Sequence, residues 1–133
     1  MTRRQQIESI IIGTLLNSIN GKNYYENCKS CITSDMFQSG ENAKIYETIA
    51  EMSNNGKTDF SPYHLAMFNE RLLDIASYMC YLATDFYFED KKARYNAMCY
   101  FYSNGKRPEY TRVSFDDYVS RFIQIVFGKN AKN

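Results

Sequence analysis

Three groups of residues have types and spacings that could do chemistry. Gly56-Lys57-Thr58 has the ending of a phosphate-binding loop, Cys28-Lys29-Ser30-Cys31 has C-x-x-C spacing, and His64 is the one imidazole in 133 residues. A phosphate loop requires G-x-x-x-x-G-K-[ST] between a strand and a helix, because glycine amides must curl around the phosphates. The first glycine position is occupied by Glu51. The preceding ENAKIYETIAEMSNN carries Ile45, Tyr46, Ile49 and Met52 at helical spacing. The tripeptide therefore reads as a helix stop. Gly56 can take the left-handed conformation that closes a helix, and Lys57 then sits near the negative end of its dipole. Asn20-Gly21-Lys22, Asn104-Gly105-Lys106 and Gly128-Lys129-Asn130 each follow an apolar-periodic stretch, so four of the six glycines read as terminators.

The cysteines give no second half to a metal site. A structural zinc takes four ligands, and Cys80 and Cys99 lie 19 residues apart without a paired spacing. A thioredoxin-type site would need a strand before Cys28 and a helix after Cys31, and neither pattern is present. Small buried thiols on helices are the expectation. His64 falls in the first turn of a helix and, without a partner base or nucleophile, is expected to be solvated or capping. No catalytic, cofactor-binding or metal residue is expected, and no cofactor.

The elements that position these residues follow from composition and periodicity. The chain is 44% hydrophobic and 23% charged, which predicts a packed core, and two prolines with six glycines leave room for long helices. Sixteen basic against fifteen acidic residues give a net charge of +1, with no basic run to draw nucleic acid or an acidic membrane. The apolar runs are too short to span a bilayer, and Arg3 and Arg4 lead into polar Gln5, Gln6 and Glu8 instead of a secretory pattern. A cytoplasmic location is the expectation.

Thr2-Arg3-Arg4-Gln5 fits a capping box. Beyond it Ile7, Ile10, Ile11, Leu15 and Ile19 line one helical face ending near Gly21. Gly13 costs that helix about 1 kcal/mol relative to alanine, which predicts another helix backbone passing close by. A shorter helix through Tyr25, Cys28 and Ile32 precedes a turn at Thr33-Ser34-Asp35 carrying Met36 and Phe37. The next helix covers about residues 41–55, and Ser61-Pro62 starts another. Its stripe is Leu65, Phe68 and Leu72, continued by Ile75, Ala76, Met79, Leu82, Ala83 and Phe86. A charged break at Glu89-Asp90-Lys91-Lys92 precedes a helix over residues 93–102, and a last helix carries Phe115, Tyr118, Val119, Phe122, Ile123 and Val126. With no alternating segment, the chain reads as all-α, with about six or seven helices.

Twelve tyrosines and nine phenylalanines make up 16% of the chain, and they crowd between residues 78 and 102 more than elsewhere. In YMCYLATDFYFED they occupy more than one helical face. They either fill a wide core or form a protein–protein surface, where such side chains are enriched. The candidate interface is Tyr78, Tyr81, Phe86, Tyr87, Phe88, Tyr95, Phe101, Tyr102, Tyr118 and Phe122. Base stacking would need a basic groove beside the rings, and Lys91, Lys92 and Arg94 make a meagre one.

From residue 5 to residue 66 the order of features resembles the amino-terminal domain of DnaB-type replicative helicases. QQIESIIIGTLLNS is similar to that family's opening helix. ITSDMFQSGENAKIYETIAEMSNNGKTDFSPYHLA is similar to the section after it, with Asp35, Phe37, Ile45, Tyr46, Gly56 and Asp59 at the matching positions. The resemblance implies a single all-α bundle over 1–133, with a family-like globular part at 1–72. A hairpin-like part at 73–133, bearing an aromatic-rich insertion, would be a modified form of the family's helical hairpin. ASYMCYLA and VSFDDYVSRFIQIVF would be its arms. In that family the ATPase lies on a separate RecA-like domain, for which this sequence has no motif. The amino-terminal domain pairs subunits through its hairpin and docks primase or loader proteins. The implied function is a non-catalytic oligomerisation and docking module in DNA replication. The implied partners are further copies of the chain, a primase or helicase loader, or helicase subunits, without direct nucleic-acid contact.

Two other classes stay open. A free-standing chain of this kind, encoded by a mobile element, could bind a host helicase. A small nucleic-acid-binding regulator would need a recognition helix rich in Arg, Lys, Asn or Gln, and the last helix offers Arg121 and Gln124.

Overall fold

The computed structural model describes residues 2–16, 21–86, 119, 120, 122–124 and 126. The first helix, α1 (Arg3–Leu15), opens on the expected capping box. Thr2 Oγ1 accepts from the Gln5 amide at 3.1 Å, and Gln5 Oε1 accepts from the Thr2 amide at 2.8 Å. Ile7, Ile10, Ile11 and Leu15 are buried as expected, but so is every other residue from position 6 to position 15. The one-face reading of this helix is thus corrected. α1 is central, with α2 (Gly21–Cys28), α3 (Gly40–Asn54) and α5 (Ala76–Asp85) packed against it. Ile19 lies outside the described residues.

Gly13 lies directly against α5. A Cβ there would sit 2.4 Å from the Leu82 carbonyl oxygen and 2.9 Å from the backbone of Phe86. Gly21 is not the helix stop it resembles. It is the first residue of α2, and a Cβ on it would lie 2.3 Å from the Leu15 carbonyl oxygen. Close backbone packing requires glycine there, not a left-handed turn. Gly105 and Gly128 lie outside the described residues.

Gly56 does behave as a terminator. It has φ +77°, and the amides of Gly56 and Lys57 donate to the carbonyls of Ser53 at 3.0 Å and Met52 at 2.8 Å. That pair of bonds is the Schellman motif, which satisfies the last carbonyls of α3. Ile45, Tyr46, Ile49 and Met52 form its buried face. Before α3, the turn expected at Thr33-Ser34-Asp35 is a 3-10 helix, Ser34–Met36, and it delivers Phe37 into the core.

Pro62 begins α4 (Pro62–Phe68), which buries Leu65 and Ala66. The stripe expected to continue from α4 is interrupted at Asn69. Asn69 is extended; its side chain accepts from the Arg71 amide at 3.2 Å and donates to Thr48 Oγ1 at 3.1 Å. Held to α3 in this way, the chain passes through a 3-10 helix, Glu70–Ile75, before α5. Leu72, Met79, Leu82 and Phe86 are buried as their spacing predicts, whereas Phe68 lies at the surface. In the last helical residues Val119, Phe122 and Ile123 are buried too. The helix expected at 93–102 and the first residues of the last helix, 114–118, lie outside the described residues. The fold is all-α, and its core is one cluster in which Phe37 stacks on Phe122 at 5.3 Å and meets Tyr46 at 5.2 Å.

Candidate interaction surface

Each group that could do chemistry acquires a structural role. Gly56-Lys57-Thr58 follows a helix, so it has the wrong setting for a phosphate loop. His64 Nδ1 lies 2.6 Å from Ser61 Oγ and 3.4 Å from Asp59 Oδ2, at the entry to α4. Both neighbours meet the same ring nitrogen, whereas a catalytic relay places nucleophile and carboxylate on opposite ones. Asp59 Oδ1 also accepts from the Ser61 amide at 3.0 Å, so the trio ties down the turn before α4. The Cys28 thiol is fully buried, 3.9 Å from the Tyr46 hydroxyl, and Cys31 is half-buried. Burial pushes the Tyr46 hydroxyl far above its ordinary titration range, with the Cys28 thiol beside it adding to the effect. That phenol stays protonated and donates to the Ile32 carbonyl at 2.8 Å. Among the described residues no group of three His, Cys, Asp or Glu could hold a metal ion.

One buried carboxylate was not singled out from sequence. Glu8 is wholly buried among the isoleucines of α1. Its Oε2 accepts from the Gln38 amide at 2.8 Å, and its Oε1 from Asn42 Nδ2 at 3.2 Å and the Ser39 amide at 3.4 Å. Arg4 Nε lies 3.6 Å away on the next turn, while the same guanidinium donates to the Met36 carbonyl at 2.7 Å. The carboxylate therefore sits at the amino-terminal end of α3, where the helix dipole favours negative charge. Asn42 Oδ1 then accepts from the Tyr78 hydroxyl at 2.6 Å, which carries the network to α5. The sequence did hold a signal: a lone acid inside a run of isoleucines needs buried partners.

The aromatic residues expected at an interface separate into three sets. Phe86 and Phe122 are packed in the core, so their rings serve the protomer's own interior. Tyr78 is half-buried and Tyr81 is 46% exposed. These two tyrosines line a depression of about 280 Å³ with Gln5, Ser9, Ser39 and Asn42. Tyr87, Phe88, Tyr95, Phe101, Tyr102 and Tyr118 lie outside the described residues.

A second exposed apolar set lies on α4 and the 3-10 helix after it. Tyr63 is 68% exposed, Met67 69% and Leu73 60%, and Phe68 is at the surface as well. Tyr63 and Met67 are one helical turn apart, on the side of α4 away from Leu65. Their i, i+4 spacing off the buried stripe was legible in the sequence and went unread. Single exposed apolar residues are ordinary; a large Tyr/Met pair on one short helix is the kind of feature that marks interaction surfaces.

The described fold is all-α and carries these exposed apolar side chains on α4 and the 3-10 helix after it. Residues 1–62 match the DnaB-like helicase N terminal domain family. The match covers the capping box, the Gly13 contact, the Glu8 network and the Gly56 stop, and it bears out the resemblance over those residues. No curated protein matches the chain, and no solved structure matches it. Over residues 1–62 the chain is similar to the amino-terminal domain of such helicases. Among the described residues no helix is long and apolar enough to cross a membrane.

Proposed function

We propose that the chain is a non-catalytic scaffold in DNA replication that associates with further copies of itself and docks a primase, a helicase loader or helicase subunits. The family match over residues 1–62 carries this reading. It is supported by the exposed side chains of Tyr63, Met67, Leu73 and Tyr81, which give the globular part an apolar surface for a partner. Tyr78, Tyr87, Phe88, Tyr95, Phe101, Tyr102 and Tyr118 belong to the same proposal, as contacts made between copies. Phe86 and Phe122 do not, because a ring packed in the protomer core is not available to a second chain.

Mass-resolved size analysis of the full chain, alone and with a primase carboxyl-terminal fragment, tests both halves. The reading expects a dimer or larger species alone and a further mass increase with the fragment. A strict monomer at high concentration that also ignores primase, loader and helicase would sink it.

A further inference from the structure

The C-x-x-C pair has no role in the docking just described, yet the fold places the two cysteines at the two ends of one hydrogen-bonded turn. We propose that Cys28 and Cys31 form a reversible intramolecular disulfide, which makes the end of α2 a redox-responsive modification site. Cys28 is the last residue of α2, and the Cys31 amide donates to the Cys28 carbonyl at 3.0 Å. A bond of that kind brings the two α-carbons to within about 7 Å, close to the span a disulfide bridges. The Cys31 thiol already points back along the turn, donating to the Cys28 carbonyl at 3.5 Å.

Burial sets the order of events. Cys31 is half-buried and reachable from solvent, whereas Cys28 is 0% exposed. The oxidant is a low-molecular-weight disulfide of the glutathione type. The Cys31 thiolate attacks one of its sulfurs, forming a mixed disulfide and expelling one thiolate, which takes up a proton. Cys28 then loses its proton and attacks the Cys31 sulfur, expelling the second thiol. Two protein thiols are oxidised and one small disulfide is reduced to two thiols, so atoms and electrons balance. Closure draws the Cys28 sulfur away from the Tyr46 hydroxyl, 3.9 Å from it in the reduced form. That hydroxyl holds the Ile32 carbonyl, so the bond acts on the contact between α2 and α3.

The test is to expose the full folded chain to oxidised glutathione, trap remaining thiols with an alkylating agent, and map the peptides by mass. Mapping separates this pair from Cys80 and Cys99. The native chain should yield a Cys28–Cys31 cross-link lighter by two hydrogen atoms, reversed by dithiothreitol. Cys28→Ser should stop at a stable glutathione adduct on Cys31. Cys31→Ser should leave Cys28 unmodified, since the oxidant does not reach its buried thiol directly. A native chain with a lasting glutathione adduct on Cys31, or with both thiols alkylated, overturns the proposal. A cross-link obtained only after denaturation overturns it as well.

Discussion

Gly13 in α1 meets Leu82 in α5 so closely that a Cβ at position 13 would stand 2.4 Å from the Leu82 carbonyl oxygen. Alanine has the higher helix propensity by about 1 kcal/mol, so propensity alone favours Gly13→Ala. The obstacle, however, is helix backbone, which cannot swing aside as a side chain can. Overpacking of this kind costs about 1–3 kcal/mol and sometimes more, so the clash outweighs the propensity gain. Gly13→Ala should lower the urea midpoint. An unchanged or raised midpoint would mean that α5 does not approach α1 at this point.

That contact also marks how far the sequence could be read. The cost of a glycine within a helical pattern implied a neighbouring backbone, and a capping box, an α3 stripe and a Schellman stop were legible because each depends on residues close in the chain. Readings that depended on distant partners fared differently. Gly21 resembled a terminator because Asn-Gly-Lys is locally the same at both ends of a helix; only the Leu15 carbonyl lying against it tells them apart. α1 looked one-faced because Gln6, Glu8, Ser9 and Thr14 are polar, yet all four are buried by partners elsewhere in the fold. The Asn69 break likewise rests on Thr48, 21 residues away.

Glu8 should be the most sensitive polar position. Glu8→Ala removes the acceptor for the Gln38 and Ser39 amides and for Asn42, and it strands Arg4. Leaving a buried donor unsatisfied costs about 1–3 kcal/mol, and Glu8→Ala leaves more than one. Tyr78→Phe, at the outer end of the same network, should cost only about 0.5–1.5 kcal/mol for its single hydrogen bond. Denaturant titration of both variants checks the ranking. Equal losses would show that the network does not converge on Glu8.

Alkaline stability should report the buried phenols. Burial raises Tyr46 far above the ordinary 10.0, and raises Tyr25 and Tyr78 as well. In the unfolded chain these phenols ionise near 10, while in the folded chain burial makes them hold their protons to higher pH. Above that pH the native state binds more protons than the unfolded state. Stability is therefore full below about pH 10 and falls above it, by up to about 1.4 kcal/mol per pH unit for each fully shifted phenol. Tyr46→Phe should flatten the decline seen between about pH 10 and 11 in urea titrations. A variant with the native slope would assign the effect to other groups.

Core and exposed surface lie side by side within α4. Leu65 is fully buried and Met67, two residues on, is 69% exposed. Leu65→Ala should therefore cost about 2–5 kcal/mol, as truncation of a buried leucine does. Phe122→Ala should cost about 3–5 kcal/mol, because that ring is wholly buried against Phe37. The paired change Tyr63→Ser and Met67→Ser should stay within about 0.5 kcal/mol of the native chain, since it removes no core contact. If this face of α4 receives a partner, the same pair should weaken capture of the primase fragment or of a second copy while leaving the melting curve in place. Binding lost together with stability would instead make the face part of the fold. Binding and stability both kept would move the docking site off α4, toward Tyr81.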